Sequence, residues 1–76
     1  MEIKIGQKYT HYKSNTNLYE IIAIAKNSEN LEDIIIYKAL YKGDFPYGQI
    51  WSRPKKEFIE KVTIQGKERN RFTLKE

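Results

Sequence analysis

The chain contains no cysteine, and a single histidine, a single tryptophan, two prolines and four glycines are spread over 76 residues. Without cysteine there is neither a disulfide framework nor a thiolate metal site, a usage that suits a reducing cytoplasm. One histidine excludes any His-pair metal centre, so a metal would have to rest on carboxylates alone. The sequence carries no glycine-rich phosphate loop and no nucleophile with a base at motif spacing, and hence no catalytic residue, metal site or cofactor is assigned from it. Apolar runs are short, and none approaches the roughly 20 residues of a membrane span. The opening segment Met1-Glu2-Ile3-Lys4-Ile5-Gly6 alternates charged and apolar residues instead of building the apolar stretch of a signal peptide. These absences lead us to expect a soluble, cytoplasmic protein without membrane association.

What is present is aromatic. Six Tyr, three Phe and one Trp have to supply much of the buried area in a chain that is 39% hydrophobic. The length allows one domain, residues 1–76, near the lower size at which a core sustains itself without staples. The net charge of +4 is unevenly placed: residues 53–76 hold eight Lys and Arg against four Asp and Glu, and residues 27–44 hold two against four. This balance is too mild for a dedicated duplex-DNA binder, and at most weak, salt-sensitive binding to single strands is expected of it.

The longest apolar runs, Leu18 to Lys26 and Ile34 to Tyr41, are rich in β-branched and aromatic side chains, which are stiff in helices and pack well on a pleated sheet. They are read as two strands of an antiparallel hairpin whose polar tip is residues 27–33. An earlier strand is expected over Lys8 to Lys13, followed by a turn at Ser14-Asn15-Thr16-Asn17, and another short strand over Gln49 to Ser52. Pro54 fixes φ for one helical turn carrying Phe58. Beyond it, Val62 and Ile64 alternate with Lys61, Thr63 and Gln65. With a bend at Gly66-Lys67, the parity predicts a closing hairpin in which Phe72 and Leu74 return beside Val62 and Ile64, facing inward. Five to six short antiparallel strands with one helical turn cannot make a standard sandwich in this length. The expected fold is therefore mostly all-β, a small bent barrel of SH3-like or OB-like kind that hides its own edges.

Two segments mix rings with cations, His11-Tyr12-Lys13 and Trp51-Ser52-Arg53-Pro54. An aromatic face beside a cation can hold a planar ligand, a carboxylate or a phosphate. Alternation puts His11 and Lys13 on one face of the first strand and Trp51 and Arg53 on one face of the fourth. In a closed barrel of five or six strands the two segments come close together and, with Tyr9, form one ligand-binding site: Arg53 and Lys13 on an anion, Trp51 or Tyr9 on a planar moiety, His11 adding a pH dependence near neutrality. The structural alternatives are that His11 bonds a backbone carbonyl, that Trp51 plugs the core and that Arg53 bonds the helical turn. Ser28 and Glu29 read as turn residues, and the basic residues of the tail as a solvated face.

The order Gly6-x-x-Tyr9-x-His11-Tyr12-Lys13, Tyr19-Glu20-Ile21-Ile22, Ser28-Glu29, Tyr37-x-x-Leu40-Tyr41, Trp51-x-Arg53-Pro54, Phe58 and Arg71-Phe72 resembles the bacterial DUF1653 family over nearly the whole chain. The chain departs from the family pattern at Asn30, in the loop before Trp51 and at Glu57. The resemblance implies a compact bacterial or phage domain and brings no chemistry with it. Three functions are compatible with the residues. The first is a non-catalytic binding module for a peptide, a nucleic-acid segment or a small anionic ligand. The second is a minimal enzyme on a nucleotide-like substrate, with His11 as acid or base, Glu29 its partner and Arg53 on a phosphate. The third is a structural accessory that pairs with another protein or with itself. A shallow groove is easier to build in a small domain than a sealed catalytic pocket, which favours the first.

Overall fold

A computed structural model describes residues 2–75. The elements follow as β1 (Lys8–His11), β2 (Ser14–Lys26), β3 (Asp33–Ala39), β4 (Ile50–Pro54), α1 (Lys55–Phe58), β5 (Lys61–Ile64), β6 (Lys67–Asn70) and β7 (Phe72–Lys75). Five strands form one sheet in the order β4-β3-β2-β1-β7, and β5 and β6 pair separately. Every ladder is antiparallel. The mostly-β architecture with one short helical turn is the one the sequence implies. Closure into a barrel is not found: β4 and β7 are the two edges of the larger sheet, and no ladder joins them among the described residues. The sheet is nevertheless strongly bent. Four strand spacings would hold the edges of a flat sheet about 19 Å apart, yet the Arg53 guanidinium of β4 lies 5.8 Å from the Phe72 ring of β7. Both register shifts put extra residues on β2, residues 15–17 opposite the Thr10/His11 step of β1 and Ile22 between Ile21 and Ala23, and these supply the bend, because extra residues in one strand kink it and increase its twist.

The concave face carries the core. Cross-strand pairs Tyr9↔Tyr19, Tyr9↔Leu74, Ile21↔Tyr37, Tyr37↔Trp51 and His11↔Phe72 set one row of side chains inward. Tyr9, Ile21, Ile35, Tyr37, Phe58 and Phe72 are buried together with Ile3. Phe58 descends from α1 onto this face, stacked on Phe72 at 4.0 Å and edge-on to Tyr9 at 5.2 Å. Pro54 caps the turn with φ −53° and ψ 138°, extended backbone that ends β4 and starts α1.

Three local expectations are corrected. Ser14–Asn17 is the start of β2; the reversal occurs at Tyr12-Lys13, with His11 opposite Ser14. Ser14 keeps turn-like bonding all the same, its Oγ accepting from the Thr16 and Asn17 N–H groups at 3.4 and 3.3 Å. The strand expected over Gln49 to Ser52 begins and ends later, at Ile50–Pro54. The C-terminal hairpin forms, but Val62 and Ile64 face Arg69 and Lys67 across a two-residue Gln65-Gly66 turn. Phe72 and Leu74 cross to the edge of the larger sheet instead, and Ile64 remains 38% exposed. So short a turn fixes β6 as Lys67–Asn70, and the shared parity of Phe72 and Leu74 is satisfied against β1. No helix among the described residues is long and apolar enough to cross a membrane.

Candidate functional site

The open seam between the sheet edges is a cleft of about 400 Å³. All five strands of the larger sheet contribute: His11 from β1, Tyr19 from β2, Tyr37 from β3, Trp51 and Arg53 from β4, and Phe72 from β7. Lys13 from the β1–β2 reversal, Ser14 and Asn17 from the start of β2, and Tyr41 from the loop after β3 complete the rim. The lining contains two permanent cations and no carboxylate.

Four of the five side chains singled out in the sequence, His11, Lys13, Trp51 and Arg53, line this cleft together. Tyr9 does not. It has 0% exposure, packs under Phe58 and donates its hydroxyl to Gln7 Oε1 at 3.0 Å. Tyr9 shares the concave face with His11 but sits further along the strand, beneath α1, where a ring belongs to the core. Glu29, the carboxylate suggested for His11, lies in the β2–β3 tip, whose reversal begins beyond the Lys26↔Asp33 pair. That is seven residues along β2 from Tyr19, or about 23 Å, so no His11–Glu29 dyad forms. At the tip Glu29 serves the turn, its N–H donating to Asn27 Oδ1 at 2.9 Å.

Arg53 is held by its neighbours without being saturated. Its Nε donates to the Tyr37 hydroxyl at 3.4 Å and Nη1 lies 3.7 Å from Glu57 Oε1, one helical turn on. Both are long for charge-assisted bonds, and five donors are available on the guanidinium. Lys13 has no ion pair among the described residues, and its Nζ stands 5.9 Å from the Tyr12 ring centroid. Trp51 is half-buried, packs against the core on one side and meets Phe45 edge-on at 5.0 Å on the other.

His11 rests edge-on to Phe72 at 5.0 Å and against Tyr12 at 4.4 Å. Its Nδ1 accepts the Lys13 backbone N–H at 3.3 Å, which leaves the ring proton of the neutral imidazole on Nε2 as a donor. Burial, reinforced by Arg53, Lys13 and Arg71, lowers its pKa from 6.5 to about 4. The expectation of a switch near neutrality is therefore corrected: in the free protein His11 is a neutral N–H donor at pH 7.

Sequence reading missed the tyrosine wall. Tyr19 and Tyr41 share a 2.5 Å hydroxyl–hydroxyl bond that pins the loop after β3 to the sheet, and burial followed by this bond raises the Tyr19 pKa. The signal available was the parity of Tyr19 with Ile21 and of Tyr37 with Ala39, which puts both rings on the inner face. Among the described residues no group of three His, Cys, Asp or Glu could hold a metal ion.

A crystal structure of a DUF1653 protein from Bordetella bronchiseptica is similar, with a TM-score of 0.71 and 25% identity, covering 93% of this chain and 85% of that one. No curated protein matches the chain. The family model described as "Protein of unknown function (DUF1653)" matches residues 7–74, a span that holds every cleft residue named above and all seven strands but for Lys75 at the end of β7, and the chain belongs to that family.

Proposed function

We propose that the protein is a non-catalytic binding module whose cleft receives an anionic group attached to a planar or apolar moiety. Arg53 and Lys13 attract the anion, the His11 Nε2–H donates to it, and the indole of Trp51 takes the planar part. The observation that carries this reading is the convergence of both cations with the imidazole and the indole on a cleft without a carboxylate. Its volume of about 400 Å³ lies in the range of small-ligand sites. Against an acid–base role stand the missing carboxylate partner and an imidazole titrating near 4, far from the pH at which it would have to exchange protons. The whole chain acts as one domain in this reading, and its lack of cysteine suits the cytoplasm.

An NMR titration of the labelled protein with nucleoside monophosphates, aromatic carboxylates and short acidic peptides tests it. Shift changes gather at Lys13, Tyr41, Trp51 and Arg53, and the His11 ring titrates at higher pH with ligand bound, since an anion offsets the neighbouring cations. Arg53→Ala abolishes the response. That substitution loses a half-exposed ion pair, a long hydrogen bond and the guanidinium's contact with the Phe72 ring, together about 1–2 kcal/mol, so the melting temperature falls by no more than about 15 °C. Shifts gathered elsewhere, or a variant that unfolds, would assign Arg53 to the framework and end the proposal.

A further inference from the structure

A second cleft, of about 290 Å³, adjoins the first and shares His11 with it. It lies on the other side of β1 and β7: Thr10 and Thr73, paired across these strands, alternate with the inward-facing Phe72 and Leu74 and line it. The register shift at Thr10/His11 falls where His11 touches both clefts. Arg69 and Lys75 bring two more cations, Asn15 and Asn70 supply amide donors, and this lining too contains no carboxylate. Neither Arg69 nor Lys75 makes an ion pair among the described residues. Between the clefts stands the β1–β2 reversal, where Tyr12 lines the second cleft, Lys13 lines the first and the Lys13 Nζ overhangs the Tyr12 ring.

From this arrangement we infer that the two clefts form one track for single-stranded nucleic acid, which crosses the Tyr12-Lys13 reversal with phosphates on Arg53 and Lys13 at one end and on Arg69 and Lys75 at the other. The inference rests on the reading of the first cleft given above and extends it to a chain-like ligand. Two features select a nucleic acid over an acidic peptide. Each cleft joins cations to an aromatic ring, Trp51 in one and Tyr12 in the other, which matches a polymer that repeats an anion and a π-face in every unit. The amides and hydroxyls of the second cleft suit phosphate and sugar oxygens, whereas carboxylates on flexible side chains offer no ring to stack. Burial is the main cause of the lowered His11 pKa, and Arg53, Lys13 and Arg71 add to it as the cations gathered at the junction.

The test measures binding of oligothymidylates, from the mononucleotide to about eight nucleotides, by NMR shifts and fluorescence anisotropy at several salt concentrations. Mononucleotide should perturb the first cleft alone. Affinity should then rise with length by roughly tenfold or more as Tyr12, Asn70 and Lys75 begin to shift, with the logarithm of affinity falling against the logarithm of salt by about 0.7 per phosphate contacted. The double variant R69A/K75A, at exposed positions, should bind mononucleotide as before, lose the length-dependent gain and reduce the salt slope by about 1.4. An affinity that does not grow with length, or a double variant indistinguishable from the parent, overturns the track and leaves the first cleft standing. Oligoglutamate that binds as tightly at the same residues overturns it in favour of a protein partner. If neither mononucleotide nor oligomer perturbs Trp51 and His11 while an aromatic carboxylate does, the track fails and the anion site survives. If none of these probes does, both readings fall.

Discussion

At the scale of single residues the core is a lattice of rings. Phe58 is 1% exposed and touches Phe72 face to face and Tyr9 and Tyr37 edge-on, so it closes one end of the concave face by itself. Truncating a fully buried Phe removes its transfer energy and leaves a cavity, together about 3–5 kcal/mol. Since small domains hold only about 5–15 kcal/mol in total, Phe58→Ala should be largely unfolded or melt tens of degrees lower by circular dichroism. Ile64→Asp supplies the contrast. Alternation in the sequence makes Ile64 an inward residue whose replacement by a charge would be severe, but with 38% exposure on a peripheral ribbon the change should cost under about 1 kcal/mol. Urea titrations of the two variants rank them, and a more damaging Ile64→Asp would contradict the ribbon's placement. Arg71 is a third kind of residue, present in the family pattern but without a role readable there: its Nη2 donates to Glu60 Oε1 at 2.8 Å, while its carbonyl accepts the Tyr12 N–H at 2.9 Å. It thereby ties the start of β7 to the reversal that presents His11 and Lys13.

Between elements, local pattern was readable and partner choice was not. The β-branched runs of β2 and β3 and the polar tip between them announce their hairpin, and Pro54 announces α1. The mate of Phe72 and Leu74 was hidden because their parity is satisfied equally well against β5 or against β1. Turn length decided between the two, and a two-residue turn of type I′ needs positive φ at both positions. Gln65 and Gly66 have φ of 51° and 77°, the type I′ signature. Glutamine is an uncommon choice there, since a left-handed backbone costs most residues about 1–2 kcal/mol and asparagine less. Gln65→Asn therefore creates the favoured Asn-Gly pair and should raise stability by a few tenths to about 1 kcal/mol, seen as a higher melting temperature and slower amide exchange in β5 and β6. Unchanged exchange in these strands would mean that the turn does not limit the ribbon. The candidate site follows the same division. Parity grouped Tyr9 with His11 and Trp51 with Arg53 on inner faces, which is correct, but periodicity carries no information about depth along a strand. The concave face is core where α1 covers it, at Tyr9, and cleft where nothing does, at His11.

In the molecule as a whole, the bend brings β4 and β7 close without pairing them, and the seam collects the charges that a sealed core would expel. One consequence is a pH dependence of folding. His11 has a pKa of about 4 in the folded protein, against 6.5 for the ordinary imidazole taken as the unfolded value. Between these values the unfolded chain holds a proton that the folded chain does not, so stability rises with pH across the window. It is fully present above pH 6.5, is lost as pH falls and reaches its lower limit near pH 4. Asp33 acts in a separate range: the Lys26 ammonium, 2.6 Å away, lowers its pKa, so its contribution disappears only as pH drops below the ordinary carboxylate value. The melting temperature should thus be flat from pH 8 to about 6.5 and decline between about 6.5 and 4, with each kcal/mol lost lowering it by about 4–8 °C. His11→Gln keeps a donor of similar reach without the titration and should flatten that decline while leaving the acid limb of Asp33 intact. A decline that persists unchanged in His11→Gln would place the responsible proton elsewhere. A saturating anion should also shallow the decline, because an anion between Arg53 and Lys13 offsets the part of the His11 shift that these cations add to burial.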